Sequence, residues 1–331
     1  MHLYQWKRRE VIALFGGAAA AWPLGASAQR LSVPVIGILI TGSADSFAPF
    51  ESPFRSGLTE GGFADGDNVP FEFRGANGQI SRLPGLAAEL VDRRPTVIAT
   101  QTLPAALAAK GATSTIPVVF VIGEDPIKVG LVGSLSKPGG NVTGVTNFMN
   151  VLGAKRLELM SEVVANSGLL GLLVNPNNPN MEADTRDLQA AARALGRQLQ
   201  VLTASTDHEL ETAFALAVER KVGALFINID SFLFARRQEI AALAARHRIP
   251  TIHPFREYVV DGGLMSYGAS FTTAWRQSGL YVARILKGAN PADLPVLQPT
   301  KFDLVINLGA AKSLGLEIPP TIIGRADEVI E

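Results

Sequence analysis

From Pro34 onward the chain alternates short β-branched apolar runs with longer amphipathic ones, the pattern of a parallel sheet covered by helices. Val35 to Ile40 carries no polar side chain, as a strand buried on both faces requires. Helices are predicted over Phe47 to Glu60, stopping at Gly61-Gly62, over Ile80 to Arg93 and over Pro104 to Ala112, with strands over Val69 to Phe73, Thr96 to Thr100 and Val118 to Ile122. Lys137-Pro138-Gly139-Gly140-Asn141 is then a dense turn cluster, and Val142 to Val145 leads out of it.

The alternation restarts there. Helices are expected over Leu152 to Val164, Glu182 to Leu195, Asp207 to Arg220 and Phe232 to Arg246, and strands over Leu169 to Val174, Leu199 to Thr203, Ala224 to Ile229 and Pro250 to His253. A strand over Leu264 to Gly268, a long helix over Thr273 to Leu286 and a tail strand over Phe302 to Ile306 complete the chain. Two successive sets of about 100 residues read as an α/β protein of two similar three-layer lobes with parallel sheets. The tail is too short for a third domain, so the chain is expected to cross between lobes more than once. Residues 29–145 plus 268–298 form lobe 1 on this reading, and 146–267 plus 299–331 form lobe 2.

The first 28 residues break the pattern. Lys7-Arg8-Arg9 is a positive head, Val11 to Leu24 a short apolar run, and Ala26-Ser27-Ala28 a small-residue cleavage pattern, together an export signal. The apolar run is shorter than the roughly 20 residues that span a bilayer, so cleavage near Ala28 and a periplasmic location are expected. The paired arginines point to the twin-arginine route, although Val11 stands where that signal usually carries phenylalanine and a general secretory signal also fits. The chain has no cysteine, which excludes disulfides, thiol chemistry and a lipid anchor on an N-terminal cysteine. Removing residues 1–28 takes three basic residues and one acidic residue from 30 of each, leaving 27 against 29, a balance that implies no nucleic-acid partner.

In open parallel sheets a ligand sits beyond the carboxyl ends of the strands, where helix N-termini offer free N–H groups. Those positions hold Ser43 and Asp45, Gln101 and Thr102, Glu124 and Asp125, and at the lobe crossings Thr146, Asn147, Ser266 and Tyr267. The second set adds Asn175, Asn177 and Asn178, then Asn228, Asp230 and Ser231, then His253 and Phe255. The candidate ligand set drawn from them is Ser43, Asp45, Gln101, Thr102, Asp125, Thr146, Asn175, Asn177, Asp230, Phe255, Ser266 and Tyr267. It suits a small polar or zwitterionic molecule: helix N-termini for a carboxylate, Asp125 or Asp230 for an ammonium, Phe255 or Tyr267 over an apolar part. Each position also has a plain structural use, since Ser, Thr, Asp and Asn at a strand-to-helix junction cap the next helix. Phosphate loops, dinucleotide-binding glycines and a nucleophile elbow are missing from the sequence, and the four histidines show no metal-ligand spacing. Neither an enzyme nor a cofactor is expected.

Several stretches, taken in order, resemble the ABC-transporter substrate-binding protein family: Val35-Ile36-Gly37 with Phe54-Arg55-Ser56-Gly57-Leu58, Gly139-Gly140-Asn141-Val142-Thr143-Gly144-Val145, Lys155-Arg156-Leu157-Glu158-Leu159, Val174-Asn175-Pro176-Asn177-Asn178-Pro179, and Gly262-Gly263-Leu264-Met265-Ser266-Tyr267-Gly268. Gln298-Pro299-Thr300-Lys301-Phe302 carries the likeness into the tail. The resemblance implies a type I periplasmic-binding fold, a monomeric receptor that closes two lobes on a small-molecule ligand, and a partner permease in the inner membrane. Some relatives bind aromatic amino acids, so an amino acid or aromatic acid is the favoured ligand. The alternatives are a ligand sensor for a membrane kinase or chemoreceptor and an exported α/β transferase. This chain departs from its relatives at Thr100-Gln101-Thr102-Leu103, where many carry a glycine-rich turn, at Glu124, an added charge, and at Asn228-Ile229-Asp230-Ser231.

Overall fold

A computed structural model describes residues 33–63, 69–164 and 168–331, and the export signal expected over residues 1–28 lies outside them. Five parallel strands make the first sheet in the order β2-β1-β3-β4-β5, with β1 Ile36–Ile40, β2 Phe71–Gly75, β3 Val97–Gln101, β4 Val118–Ile122 and β5 Val142–Thr146. Alternate residues of these strands face opposite layers. Ile36, Ile38 and Ile40 pack with Val119 and Val121 under helix α1, Ala44–Glu60, whereas Leu39, Ile98 and Phe120 face α2, Leu83–Asp92, and α3, Leu103–Ala112.

The second sheet has seven strands in the order β12-β11-β10-β9-β8-β6-β7: β6 Leu169–Val174, β7 Gln198–Thr203, β8 Leu225–Ile227, β9 Thr251–His253, β10 Met265–Gly268, β11 Asp303–Asn307 and β12 Glu328–Ile330. All pairs are parallel except β10 with β11, so this sheet is mixed. One face packs on α4, Gly153–Val163, and α5, Met181–Ala194. The other packs on α6, Asp207–Glu219, α7, Ser231–Ala235, and α8, Arg237–His247. The helix expected over Phe232 to Arg246 is thus broken at Arg236, whose guanidinium pairs with Asp207 and lies over the Phe232 ring. Short α9, Arg256–Val260, follows β9.

After β10 the chain returns to the first sheet as α10, Phe271–Leu286, which lies against α1. The two helices touch through glycine: a methyl at Gly57 would strike the Arg276 carbonyl, and one at Gly279 the Phe54 carbonyl. Leu297 then pairs with β5 through Thr146 N–H, and the tail supplies β11, α11 Leu308–Leu314, α12 Pro320–Ile323 and β12. No helix among the described residues is long and apolar enough to cross a membrane.

Arg156 of α4 ties two of these passages together. Its guanidinium, 1 % exposed, donates to the carbonyls of Met149 and Tyr267, while Ala269 N–H points at the Met149 sulfur. Burial pushes its pKa down to about 10, which leaves it charged at neutral pH.

Candidate functional site

The carboxyl ends of both sheets line one cavity. On the first-sheet side, β1 ends at Thr41 and β3 at Gln101-Thr102, and the Thr41 and Thr102 hydroxyls are bonded at 2.5 Å. Thr102 has φ 74° and ψ 153°, a region that L side chains rarely occupy, and caps α3 without a side-chain bond. Pro104, the second residue of α3, has no N–H, so the free donors of this helix start are Leu103 and Ala105, and beside the two hydroxyls they make a place fit for a carboxylate. Next to it, β4 runs into Gly123-Glu124 and β5 into Asn147. Thr146 Oγ1 donates to the Glu124 carbonyl at 2.7 Å, so these two strand ends are fastened together.

The second-sheet side is built from asparagines. Asn175 and Asn178 each donate through Nδ2 to Asp230, at 3.1 and 3.0 Å, and Asp230 Oδ1 also accepts from Phe232 N–H and Leu233 N–H as the cap of α7. Asn180 Nδ2 reaches across to Glu124 Oε1 at 2.5 Å. Glu124 opens toward the cavity yet is packed on its other sides, and this desolvation raises its carboxyl pKa. The Asn180 bond opposes the rise, and Asp184 nearby adds to it.

At the apolar end, Phe50 of α1 meets Phe234 of α7 with ring centroids 5.4 Å apart and Phe271 of α10 at 4.7 Å, edge to face. Phe255 closes on Phe234 at 5.5 Å and on Phe271 at 5.0 Å. The hydrophobic core runs through this aromatic bridge from one sheet to the other. Among the described residues that line the cavity there is no lysine or arginine; its charged side chains are Glu124 and Asp230.

A cavity between the facing strand ends of two α/β sheets, lined for binding by groups that offer no nucleophile with an adjacent base, agrees with a sequence match to ABC transporter substrate binding protein over residues 35–330. The chain belongs to this family. The substrate-binding protein has a two-lobed periplasmic-binding architecture, acts as the receptor of an ABC importer and is not an enzyme. It is 28% identical to a Streptococcus pneumonia domain solved in complex with L-Trp, with a TM-score of 0.78 over 90% of this chain and 100% of that one. A ligand-free, open structure of a substrate binding protein with adhesive properties from Clostridium difficile is 25% identical, with a TM-score of 0.62 over 90% and 99%. A tyrosine-binding protein of Clostridioides difficile (strain R20291) is 26% identical over 264 residues, 80% of this chain and 76% of that protein. The family is exported, and its receptors serve a membrane permease.

In this substrate-binding protein Gln101, Thr102, Asn175, Asn177, Asp230 and Phe255 meet at the cavity. The remaining sequence candidates have other surroundings. Ser43 caps α1 by accepting from Ser46 N–H, and Asp45 is exposed in the first turn of that helix. Asp125 accepts from Ile127 N–H and Lys128 N–H and so fixes the turn after β4. Thr146 is buried on the Glu124 carbonyl, Ser266 is buried within β10, and the Tyr267 ring packs on Phe302 at 6.3 Å. Thr41, Asn180, Phe232, Phe234 and Phe271 line the cavity without having been singled out. Thr41 could have been found as the first residue past β1; the phenylalanines carry no signal in the sequence, because helix N-terminal residues of both lobes converge only in three dimensions. Glu124 and Asn147 stand at strand ends but outside the narrower candidate set.

Proposed function

We propose that this receptor captures an amino acid with an aromatic or large apolar side chain by closing its lobes, and hands it to an inner-membrane permease. One observation carries the reading: the cavity is chemically divided, with hydroxyls, an uncapped helix N-terminus and a carboxylate at one end and Phe232, Phe234, Phe255 and Phe271 at the other. A zwitterion with an apolar tail matches both ends. The L-Trp complex and the tyrosine-binding relative support the same class, and the higher TM-score to the L-Trp complex than to the ligand-free open structure supports closure as the bound form. Within this proposal the twelve sequence candidates divide by role. Gln101, Thr102, Asn175, Asn177, Asp230 and Phe255 serve the ligand, and the others hold the walls.

The lobes are residues 29–145 plus 268–298 and 146–267 plus 299–331, and they turn about the passages near Thr146, Gly268 and Pro299. The mature receptor is a monomer that starts at Gln29 after export by the twin-arginine or the general secretory route. Thermal denaturation of the mature chain against amino acids, aromatic acids, sugars and nucleosides tests the reading. A ligand at a hundredfold excess over its dissociation constant should stabilise by about 2.7 kcal/mol. A shift with sugars or nucleosides and none with aromatic or large apolar amino acids would refute it.

A further inference from the structure

We infer that Glu124, with Asn147 Oδ1 beside it, is where this cleft reads a protonated primary amine on its solute, so that the amine is required for binding. The inference rests on the reading that the cleft takes an amino-acid-like solute, and it assigns the atom that decides between amino acids and aromatic acids. Two carboxylates face the cavity, and they differ in what they have left to offer. Asp230 accepts from two backbone N–H groups and the Asn175 amide on Oδ1 and from the Asn178 amide on Oδ2, so one of its oxygens is fully used as the cap of α7 and only Oδ2 has capacity left. Glu124 accepts from Asn180 on Oε1 and from Gly123 N–H on Oε2 at 3.1 Å, and retains capacity on both oxygens.

Asn147 supplies the second acceptor. It is 2 % exposed, lines the cavity and leaves its Oδ1 without a donor, a state that buried acceptors rarely tolerate. It follows directly on Thr146, whose hydroxyl holds the Glu124 carbonyl, so the two acceptors belong to adjacent strand ends. An ammonium brings three donors and a positive charge to such a place. No cavity-lining lysine or arginine among the described residues competes for it.

The position of Glu124 also makes refusal possible. Its bond to Asn180 joins the two walls of the cleft, so the lobes meet around a carboxylate. Enclosing that charge is unfavourable unless a cation comes with it, and an aromatic acid without an amine brings a second negative charge instead. Closure itself then discriminates against amine-free acids.

Calorimetric titration of the mature chain at pH 7.5 tests this with three series built on phenyl, 4-hydroxyphenyl and indole side chains: the L-amino acid, the arylethylamine and the arylpropanoate. For a side chain that binds, removing the amine should weaken affinity at least a hundredfold, about 2.7 kcal/mol, and removing the carboxylate less. Glu124→Gln, which keeps shape and the Asn180 contact but gives up the acceptor for Gly123 N–H, should lose at least tenfold for amine-bearing solutes and gain for the propanoate, with a cooperative melting transition retained. Asn147→Ala should lose severalfold in the same direction. Propanoates binding wild type within threefold of the amino acids, or unaltered affinity in Glu124→Gln, would overturn the assignment while leaving an aromatic-binding receptor. Arylethylamines binding without the amino acids would uphold Glu124 and overturn the amino-acid reading. Silence across all three series would overturn both.

Discussion

The two walls of the cleft are made of similar parts and finished differently. On the second-sheet wall the N-terminus of α7 is capped by Asp230, and two asparagine amides donate to that carboxylate. On the first-sheet wall the N-terminus of α3 has no side-chain cap, its Thr102 sits at positive φ, and Asn147 Oδ1 has no donor. One wall is satisfied by its own residues. The other keeps strain and open valences, which is where a binding protein stores its capacity to select. The contrast teaches that an asparagine-rich loop can do two things at once: Asn175 and Asn178 brace the Asp230 carboxylate while the same loop, Asn177 included, lines the cavity.

The largest expected effect sets the second lobe against the first under acid. His253 in β9 is fully buried, bonded through Nε2 to Thr251 at 2.7 Å and stacked on Tyr258, and burial depresses its pKa from 6.5 to about 3. The unfolded chain therefore binds a proton that the folded one does not. The stability this contributes is complete above pH 6.5 and is lost as pH falls through 6.5 toward 3, by about 2 kcal/mol at pH 5 and about 5 kcal/mol at the lower limit. Urea denaturation from pH 7.5 to 4 should show this slope, and His253→Gln should flatten it; an equal slope in the variant would remove His253 as the cause.

A smaller loss is expected from Asp230→Ala, which uncaps α7, takes the acceptor from the Asn175 amide and leaves the Asn178 amide only the Ile229 carbonyl. About 2 kcal/mol of stability should go, with hydrogen exchange rising at residues 175–180 and 231–235 and little change at α3. If exchange rises on both walls, they are not the independent structures described above. The smallest effect has the opposite sign. Thr102→Gly relieves the positive φ and should stabilise the protein by about 1 kcal/mol, while weakening the ligand through loss of a hydroxyl. A destabilised glycine variant would show that the Thr41–Thr102 bond outweighs the backbone strain.

Much of the fold was readable because its strands are buried on both faces. Val118–Ile122 and Leu169–Val174 fall where apolar runs meet Pro117 and Asn175-Pro176, and their limits match those expected. Short α9, α11, α12 and β12 escaped because three to seven residues do not complete enough turns or alternations to show a period. At the site, strand-end reasoning reaches the cavity through Gln101, Thr102, Asn175, Asn177, Asp230 and Phe255. It cannot see that Ser43, Asp125 and Thr146 spend their side chains on nearby backbone, since capping and ligand contact draw on the same residue types. Glu124 stood among the strand-end positions and as a charge that relatives lack, but nothing in the sequence set it above Asp125 beside it.

The glycine contact between α1 and α10 has a consequence for the order in which the molecule is made. The apolar stripe of α1, formed by Phe47, Phe50 and Phe54, is covered by Trp275 and its neighbours on α10. During synthesis that cover emerges more than 200 residues later, after β6 to β10 of the second sheet. The first sheet is thus begun first and finished late. A nascent chain ending at Gly268 carries a bare aromatic stripe on α1, and the first sheet gains its full cover only when α10 has been made.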